Sequence, residues 1–242
     1  MSGLGIAFIV IGYLVGSVPT AQIASRLITG ADLRRVGTGS VSGSNVWHMV
    51  SRRAVVPVGL ADVGKGALPV LVGKTLGLSV PEQMWVGLAI VAGHNWSAFL
   101  NLRGGRGVGP AMGVLMVVSW PELIVFIVVG LAFVGLRFAP RVRADIIPVG
   151  VGLGVLALPI SSVVFGHRLA IVLGMTGVVL LLAAKRLMGN FEPVRRYGPA
   201  RRVLLNRLVL DRDVRDRRAW ISRRPDDGQA WGSTMPRSRT GG

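Results

Sequence analysis

Three stretches of the chain carry residue types suited to holding phosphate. The first, RRVGTGSVSGSNVWH at residues 34–48, sets Gly37, Gly39 and Gly43 among the hydroxyls of Thr38, Ser40, Ser42 and Ser44. Arg34 and Arg35 precede these, and Asn45 and His48 follow. Glycines permit positive φ and close backbone approach, so such a loop can present N–H groups to an anion. A short polar linker is the alternative reading. The second, GHNWSAFLNLRGGRGVG at residues 93–109, places His94 and Asn95 at the end of an apolar run and brackets Gly104 and Gly105 with Arg103 and Arg106. A planar guanidinium matches two phosphate oxygens at once, although the same arginines also suit a membrane edge. The third, LADVGKGALPV at residues 60–70, puts Asp62 and Lys65 on neighbouring turns of an apolar segment. Charges at that depth are costly, so they face a polar cavity or the protein interior, or simply pair with each other.

The elements that position these residues are membrane helices. The chain has 242 residues, is 51% hydrophobic and only 16% charged, and carries a formal net charge of +17; its mean hydropathy is +0.57. That composition belongs to integral membrane proteins. Residues 3–24 contain no charge and are long enough as a helix to cross a hydrocarbon core of about 30 Å. No basic residue precedes them, which argues against a cleaved signal peptide. Further apolar segments lie near residues 54–78, 82–100, 107–120, 121–138, 145–166 and 168–187. The expectation is an all-α integral membrane protein with about seven transmembrane helices, five or six being the smaller counts. Arg34, Arg35, Arg52 and Arg53 follow the first crossing, Arg103 and Arg106 the third, Arg137, Arg141 and Arg143 the fifth, and Arg195 onward the seventh. Because basic residues are retained in the cytoplasm, the amino terminus is expected outside and the carboxyl terminus inside.

Residues 1–190 read as one polytopic membrane domain and residues 191–242 as a basic, flexible cytoplasmic tail. From Lys185 to Gly242 there are 15 Lys and Arg against 6 Asp and Glu, which supplies +9 of the net +17. Such arginines sit near anionic lipid headgroups at about 1 kcal/mol each. Nucleic acid is not an expected partner, since LDRDVRDRRAW interleaves arginine with aspartate and no groove-fitting motif is present. There are no cysteines, and His48, His94 and His167 lack metal-site spacing, so no metal is expected.

The three stretches together resemble the PlsY family of bacterial membrane acyltransferases, which transfer an acyl group from acyl phosphate to glycerol 3-phosphate. GYLVGSVPTAQIASRL is similar to that family's opening Gly-Ser-x-Pro helix, and LRRVGTGSVSGSNV to its first loop. DVGKG is similar to its Asp-x-x-Lys-Gly element, and GHNWSAFLNLRGGRGVG to its Gly-His-Asn and Gly-Gly-Lys-Gly loop. The resemblance is strong over residues 8–113. It implies a seven-crossing enzyme of the bacterial plasma membrane that needs no cofactor and uses acyl phosphate and glycerol 3-phosphate, among membrane lipids. The oligomeric state is left open, a monomer sufficing. The catalytic residues implied are Thr38, His94 and Asn95. The phosphate-binding set implied is Arg35, Gly37, Gly39, Ser40, Ser42, Gly43, Ser44, Asn45, Lys65, Arg103, Gly104, Gly105 and Arg106. Ser17 and Asp62 support the site.

Departures from the family pattern fall in the first loop and, more seriously, in the last element. Ser40 stands for an asparagine, Ser42 for a glycine and His48 for an arginine. In VLLLAAKRLMGNFEP, Arg186, Leu187, Gly189 and Glu192 are kept, whereas Leu180 and Ala183 fall about where a His and an Asn belong. If that pair moves a proton, its loss lowers turnover about 10²- to 10⁴-fold, so a catalytically weakened relative is one alternative. A transporter or flippase for a phosphorylated or lipid substrate is another, although no internal repeat supports it. A scaffold whose basic tail recruits partners is a third.

Overall fold

The computed structural model describes residues 1–139, 145–189 and 194–222. Arg141, Arg143, Glu192 and residues 223–242, which entered the sequence reading, lie outside the described residues. The helices are α1 (Gly3–Ser17), α2 (Thr20–Thr29), α3 (Gly43–Met49), α4 (Val55–Thr75), α5 (Val80–Asn95), α6 (Val108–Val118), α7 (Trp120–Arg137), α8 (Ile147–Val164), α9 (Leu169–Met188), α10 (Ala200–Leu210) and α11 (Arg217–Ser222). Among the described residues no strand is present.

Each apolar segment of the sequence becomes a helix. The run Gly3–Thr29, which joins α1 and α2, and helices α4, α7, α8 and α9 are long and apolar enough to cross a membrane. Helix α5 has 16 residues and α6 has 11, and at 1.5 Å per residue the latter spans only about 16 Å. Large apolar side chains such as Leu27, Leu60, Leu68, Val164, Leu173 and Leu180 are exposed, as expected where lipid rather than water is the neighbour. The first span is interrupted at Val18–Pro19 because proline has no N–H for the helix ladder and disfavours helical geometry in the residue before it.

Glycines let the helices come together closely. Helix α1 runs along α5, and α4 along α6. A Cβ on Gly16 would lie 2.2 Å from the Ile90 carbonyl oxygen, and one on Gly93 would lie 2.2 Å from that of Tyr13. In the second pair, a Cβ on Gly66 would lie 2.2 Å from the Pro110 oxygen and one on Gly113 would lie 2.0 Å from that of Val63. Backbone thus packs on backbone, the arrangement small residues permit between membrane helices. Helices α7 and α8 form a hairpin, and α9 packs between α5 and α8 around Met84, Leu115, Phe126, Leu158 and Met175.

At one end of this assembly, Glu122 is fully buried; it accepts hydrogen bonds from Ser119 and, at 2.7 Å, from Ser162, and lies 3.3 Å from His167 Nε2. This cluster ties the start of α7 to the end of α8. The other end holds the carboxyl ends of α1, α5 and α9 together with the start of α6. Beyond α9, helices α10 and α11 fold back, with α10 against α8 and α9.

Replacing Gly113 by alanine is expected to cost about 1–3 kcal/mol through overpacking, whereas Gly130, which has open space around it, gains up to about 1 kcal/mol of helix propensity from alanine. Thermal unfolding in detergent checks this: Gly113→Ala lowers the midpoint and Gly130→Ala does not.

Candidate active site

The polar end of the bundle is organised on one carboxylate oxygen. Asp62 Oδ1 accepts from Thr20 Oγ1 at 2.6 Å, lies 2.9 Å from Lys65 Nζ and 3.6 Å from His94 Nδ1. Asp62, Lys65 and His94 are each more than nine-tenths buried. Lys65 Nζ also donates to the Val18 carbonyl at 2.8 Å. That acceptor sits at the Val18–Pro19 interruption, where the helical backbone pattern ends. The i, i+3 spacing of Asp62 and Lys65 puts both on the face of α4 that meets the start of α2 and the end of α5. Ser17 closes the same corner: its hydroxyl donates to Tyr13 O at 2.8 Å and accepts from Ala98 N at 3.3 Å, while its carbonyl accepts from Ser97 Oγ at 2.6 Å.

The hydroxyl-rich loop is shaped from inside by Asn45. Its side-chain nitrogen lies 3.0–3.1 Å from the carbonyls of Leu33, Val36 and Ser40, and its oxygen accepts from Thr38 N at 3.2 Å. Asn45 is fully buried, so its amide is spent on the loop backbone. Gly37 adopts φ 57° beside it, and a Cβ there would lie 2.4 Å from Asn45 Oδ1; only glycine suits that position. Thr38, Gly39, Ser42 and Gly43 are partly exposed, Arg35 and Ser44 exposed, and Ser40 buried with no hydrogen-bond partner for its hydroxyl. Upstream, burial works against the charge of Asp32, but its hydrogen bonds with the Arg34 side chain and backbone outweigh that and hold its carboxyl below the ordinary range. Downstream, burial and the nearby charges of Arg217 and Arg52 push the His48 imidazole below its ordinary value, which suits its Nε2 to accept from Arg217 Nη2 at 3.1 Å.

The second loop is laid across the first. Gly104 N and Gly105 N donate to the carbonyls of Asn95 and His94 at 3.1 and 2.9 Å, folding residues 101–107 back onto the end of α5. A Cβ on Gly105 would lie 2.2 Å from His94 Nε2 and 2.6 Å from the Val41 carbonyl. Gly105 is therefore the point where both loops and the His94 ring touch. Arg103 is exposed. Arg106 turns the other way, donating to the Lys185 carbonyl at 3.3 Å and lying 3.2 Å from Asp211 Oδ1. Asn95 is fully buried, donates to Leu181 O at 3.4 Å, and leaves its own Oδ1 without a partner.

The structure thus brings together Ser17, Asp62, Lys65, His94, Gly104 and Gly105, with the 37–45 loop against them, and places Arg106 a short step away beside α9. Three participants escape a reading of the sequence: Thr20, Lys185 and Asp211. Lys185 is fully buried and is the residue of α9 that turns inward here. Leu180 is exposed, and Ala183 lines an apolar groove against α8. A second groove runs between α2 and α4, walled by Ile23, Leu27, Pro57 and Val58, and ends at Thr20.

Fold and site together define a polytopic helical membrane protein with an anion-suited polar centre at one end. The chain belongs to the glycerol-3-phosphate acyltransferase family, whose model matches residues 6–192. It is 38% identical over 231 residues to glycerol-3-phosphate acyltransferase 5 of Dehalococcoides mccartyi, covering 92% of this chain and 95% of the relative. It is also 38% identical over 182 residues to glycerol-3-phosphate acyltransferase of Parasynechococcus marenigrum, covering 75% and 82%. The crystal structure of PlsY (YgiH), an integral membrane glycerol 3-phosphate acyltransferase, in its glycerol 3-phosphate form superposes with a TM-score of 0.70 at 25% identity, covering 88% of this chain and 96% of that one.

Removing one partner of a buried ion pair costs about 3–5 kcal/mol because the other charge is stranded, while an apolar replacement of both is close to neutral. Asp62→Asn is accordingly expected to lower the melting midpoint sharply, and adding Lys65→Met to recover most of the loss. Strictly additive losses in this double-mutant cycle would show that the two side chains do not act as a pair.

Proposed function

We propose that this protein transfers the acyl group of an acyl phosphate to a hydroxyl of glycerol 3-phosphate, forming lysophosphatidic acid and inorganic phosphate. The observation that carries the reading, beyond family membership, is the contact of the two glycine loops at Gly105. Loops suited to two separate phosphates meet there beside the buried His94 ring and the buried, hydrogen-bonded carboxylate of Asp62. In the reaction the glycerol hydroxyl oxygen bonds to the acyl carbon, the bond from that carbon to the phosphate oxygen breaks, and the hydroxyl proton is released. Acyl phosphate is already activated, so the protein's task is to orient the two substrates and stabilise the negative charge that develops.

The residues divide that work. Thr38 presents its hydroxyl to phosphate from the first loop, with Arg35, Gly37, Gly39, Ser40, Ser42, Gly43 and Ser44 around it, while Asn45 fixes the loop's shape by holding the Thr38 N–H. Lys65, Arg103 and Arg106 provide positive charge, with Gly104 and Gly105 allowing close approach. His94 and Asn95 organise the second loop at the reacting atoms, and Ser17 and Asp62 hold the corner. The groove between α2 and α4 receives the acyl chain and delivers its phosphate end toward Thr20. The protein lies in the bacterial plasma membrane as seven crossings, α6 being a short one shielded by α4. Its amino terminus is outside, and the loops and the basic tail of residues 191–242 face the cytoplasm.

The test is transfer from palmitoyl phosphate to radiolabelled glycerol 3-phosphate by the purified protein in detergent. Wild type is expected to form lysophosphatidic acid, and Thr38→Ala and Arg106→Ala each to lose about 10²-fold or more in kcat/KM, the scale of a transition-state hydrogen-bond donor. No product from folded wild type with either acyl phosphate or acyl-CoA as donor overturns the proposal.

A further inference from the structure

We infer that Lys185 and Arg106 form a phosphate subsite capped by the carboxyl-terminal helices, with the Asp211 carboxylate resting where a substrate phosphate binds. This rests on the acyl-transfer reading above and extends it to residues outside the family match, which ends at residue 192.

The Lys185 side chain is the first reason. It is fully buried, and its Nζ has no hydrogen-bond partner. Its nearest compensation is the face of Trp96, with the ring centroid 5.7 Å away. A cation–π contact offsets only part of the several kcal/mol that burying an ion costs. A buried ammonium with three donors and no acceptor is suited to an arriving anion. Its charged neighbours are few: Arg106 and Asp211 act on it, and its own charge reaches His94. Arg186, the next residue, is also within reach of Arg106 and Asp211 but is tied to the Leu208 and Pro148 carbonyls. Three cations therefore share one carboxylate, leaving room for a phosphate dianion.

The hold on Asp211 is the second reason. Its Oδ1 lies 3.2 Å from Arg106 Nε and makes no hydrogen bond of standard geometry. Its backbone sits at φ 55° at the end of α10, a left-handed conformation in which aspartate is tolerated but not favoured. The rest of the cap is fastened elsewhere. Arg207 binds Asp213 and donates to the Leu187 carbonyl at 2.9 Å, and Arg212 and Arg217 reach Asp145 at 3.1 and 3.2 Å. Asp211 can thus let go of Arg106 while α10 and α11 stay docked. A phosphate offers Arg106 a bidentate partner and Lys185 its missing acceptor, so it displaces the single carboxylate.

The experiment uses the full chain in detergent and two readouts: the rise in melting midpoint with added inorganic phosphate, and KM for each substrate. Asp211→Asn keeps the left-handed cap geometry and removes the competing charge. It is expected to tighten phosphate binding about 5-fold, the scale of a partly exposed ion pair, and to lower KM for one substrate by a similar factor. The substrate whose KM moves, acyl phosphate or glycerol 3-phosphate, is the one whose phosphate occupies the subsite. Lys185→Met, an apolar replacement the buried site accommodates, is expected to weaken phosphate binding about 10-fold, the scale of a charge-assisted bond, and Lys185→Arg to restore part of it. Unchanged or weaker phosphate binding in Asp211→Asn, or unchanged binding in Lys185→Met, overturns the subsite. Wild type that makes no product yet shows these phosphate shifts overturns the acyl-transfer reading alone.

Discussion

The buried carboxylate of Asp62 is the constraint on which the polar end of this molecule depends. Thr20, Lys65 and His94 approach the same oxygen from three helices. In a medium of low dielectric, a charge is retained only where opposite charge and hydrogen bonds surround it. Each partner therefore fixes the position of the others. The pair also closes the chain break at Val18–Pro19, since Lys65 donates to the carbonyl at that interruption. A helix broken by proline leaves backbone acceptors without intrahelical donors, and inside a membrane such acceptors must be satisfied by protein. Here one half of the ion pair joins the Thr20 backbone N–H as a donor to that carbonyl.

Distances of this kind need helices held close and without play. The backbone contacts at Gly16, Gly93, Gly66 and Gly113 set α1 on α5 and α4 on α6, and the four side chains of the Asp62 cluster belong to α2, α4 and α5. The loops inherit that rigidity. Residues 101–107 are bonded back to the end of α5 through Gly104 and Gly105, and residues 36–45 are braced from within by Asn45. The site is built on helix ends and on loops stitched to them, so binding need not order a free segment.

Much of this is legible in the sequence because it is local. The apolar runs, with arginines gathered in every other connection, mark the helices, and Gly104-Gly105 between two arginines marks a close approach. Asp62 and Lys65 stand out because charges at membrane depth require a partner. Thr20 does not stand out: it is a hydroxyl in an uncharged run, and only the break at Pro19 aims it at Asp62. Asn45 is visible as a member of the polar loop, yet its inward direction depends on the turn it braces. Lys185 is hidden by its place beside Arg186, where two basic residues read as the start of a tail. Asp211 lies among alternating arginines and aspartates, and which of them pairs with Arg106 follows from α10 folding back on α8 and α9. Side chains whose role depends on distant segments meeting carry no local signal.

The groove between α2 and α4 has a consequence for how supply is counted. Its walls include Leu27 and Ile23, both exposed apolar side chains, and under the acyl-transfer reading proposed above they face acyl chains rather than water. A reactant entering there diffuses within the bilayer plane, and what governs its encounter is the number of molecules per unit area of membrane. The second reactant, if water-soluble, is governed by molarity. Under the proposed acyl transfer, turnover joins a two-dimensional and a three-dimensional concentration, and adding inert lipid dilutes one reactant while leaving the other untouched.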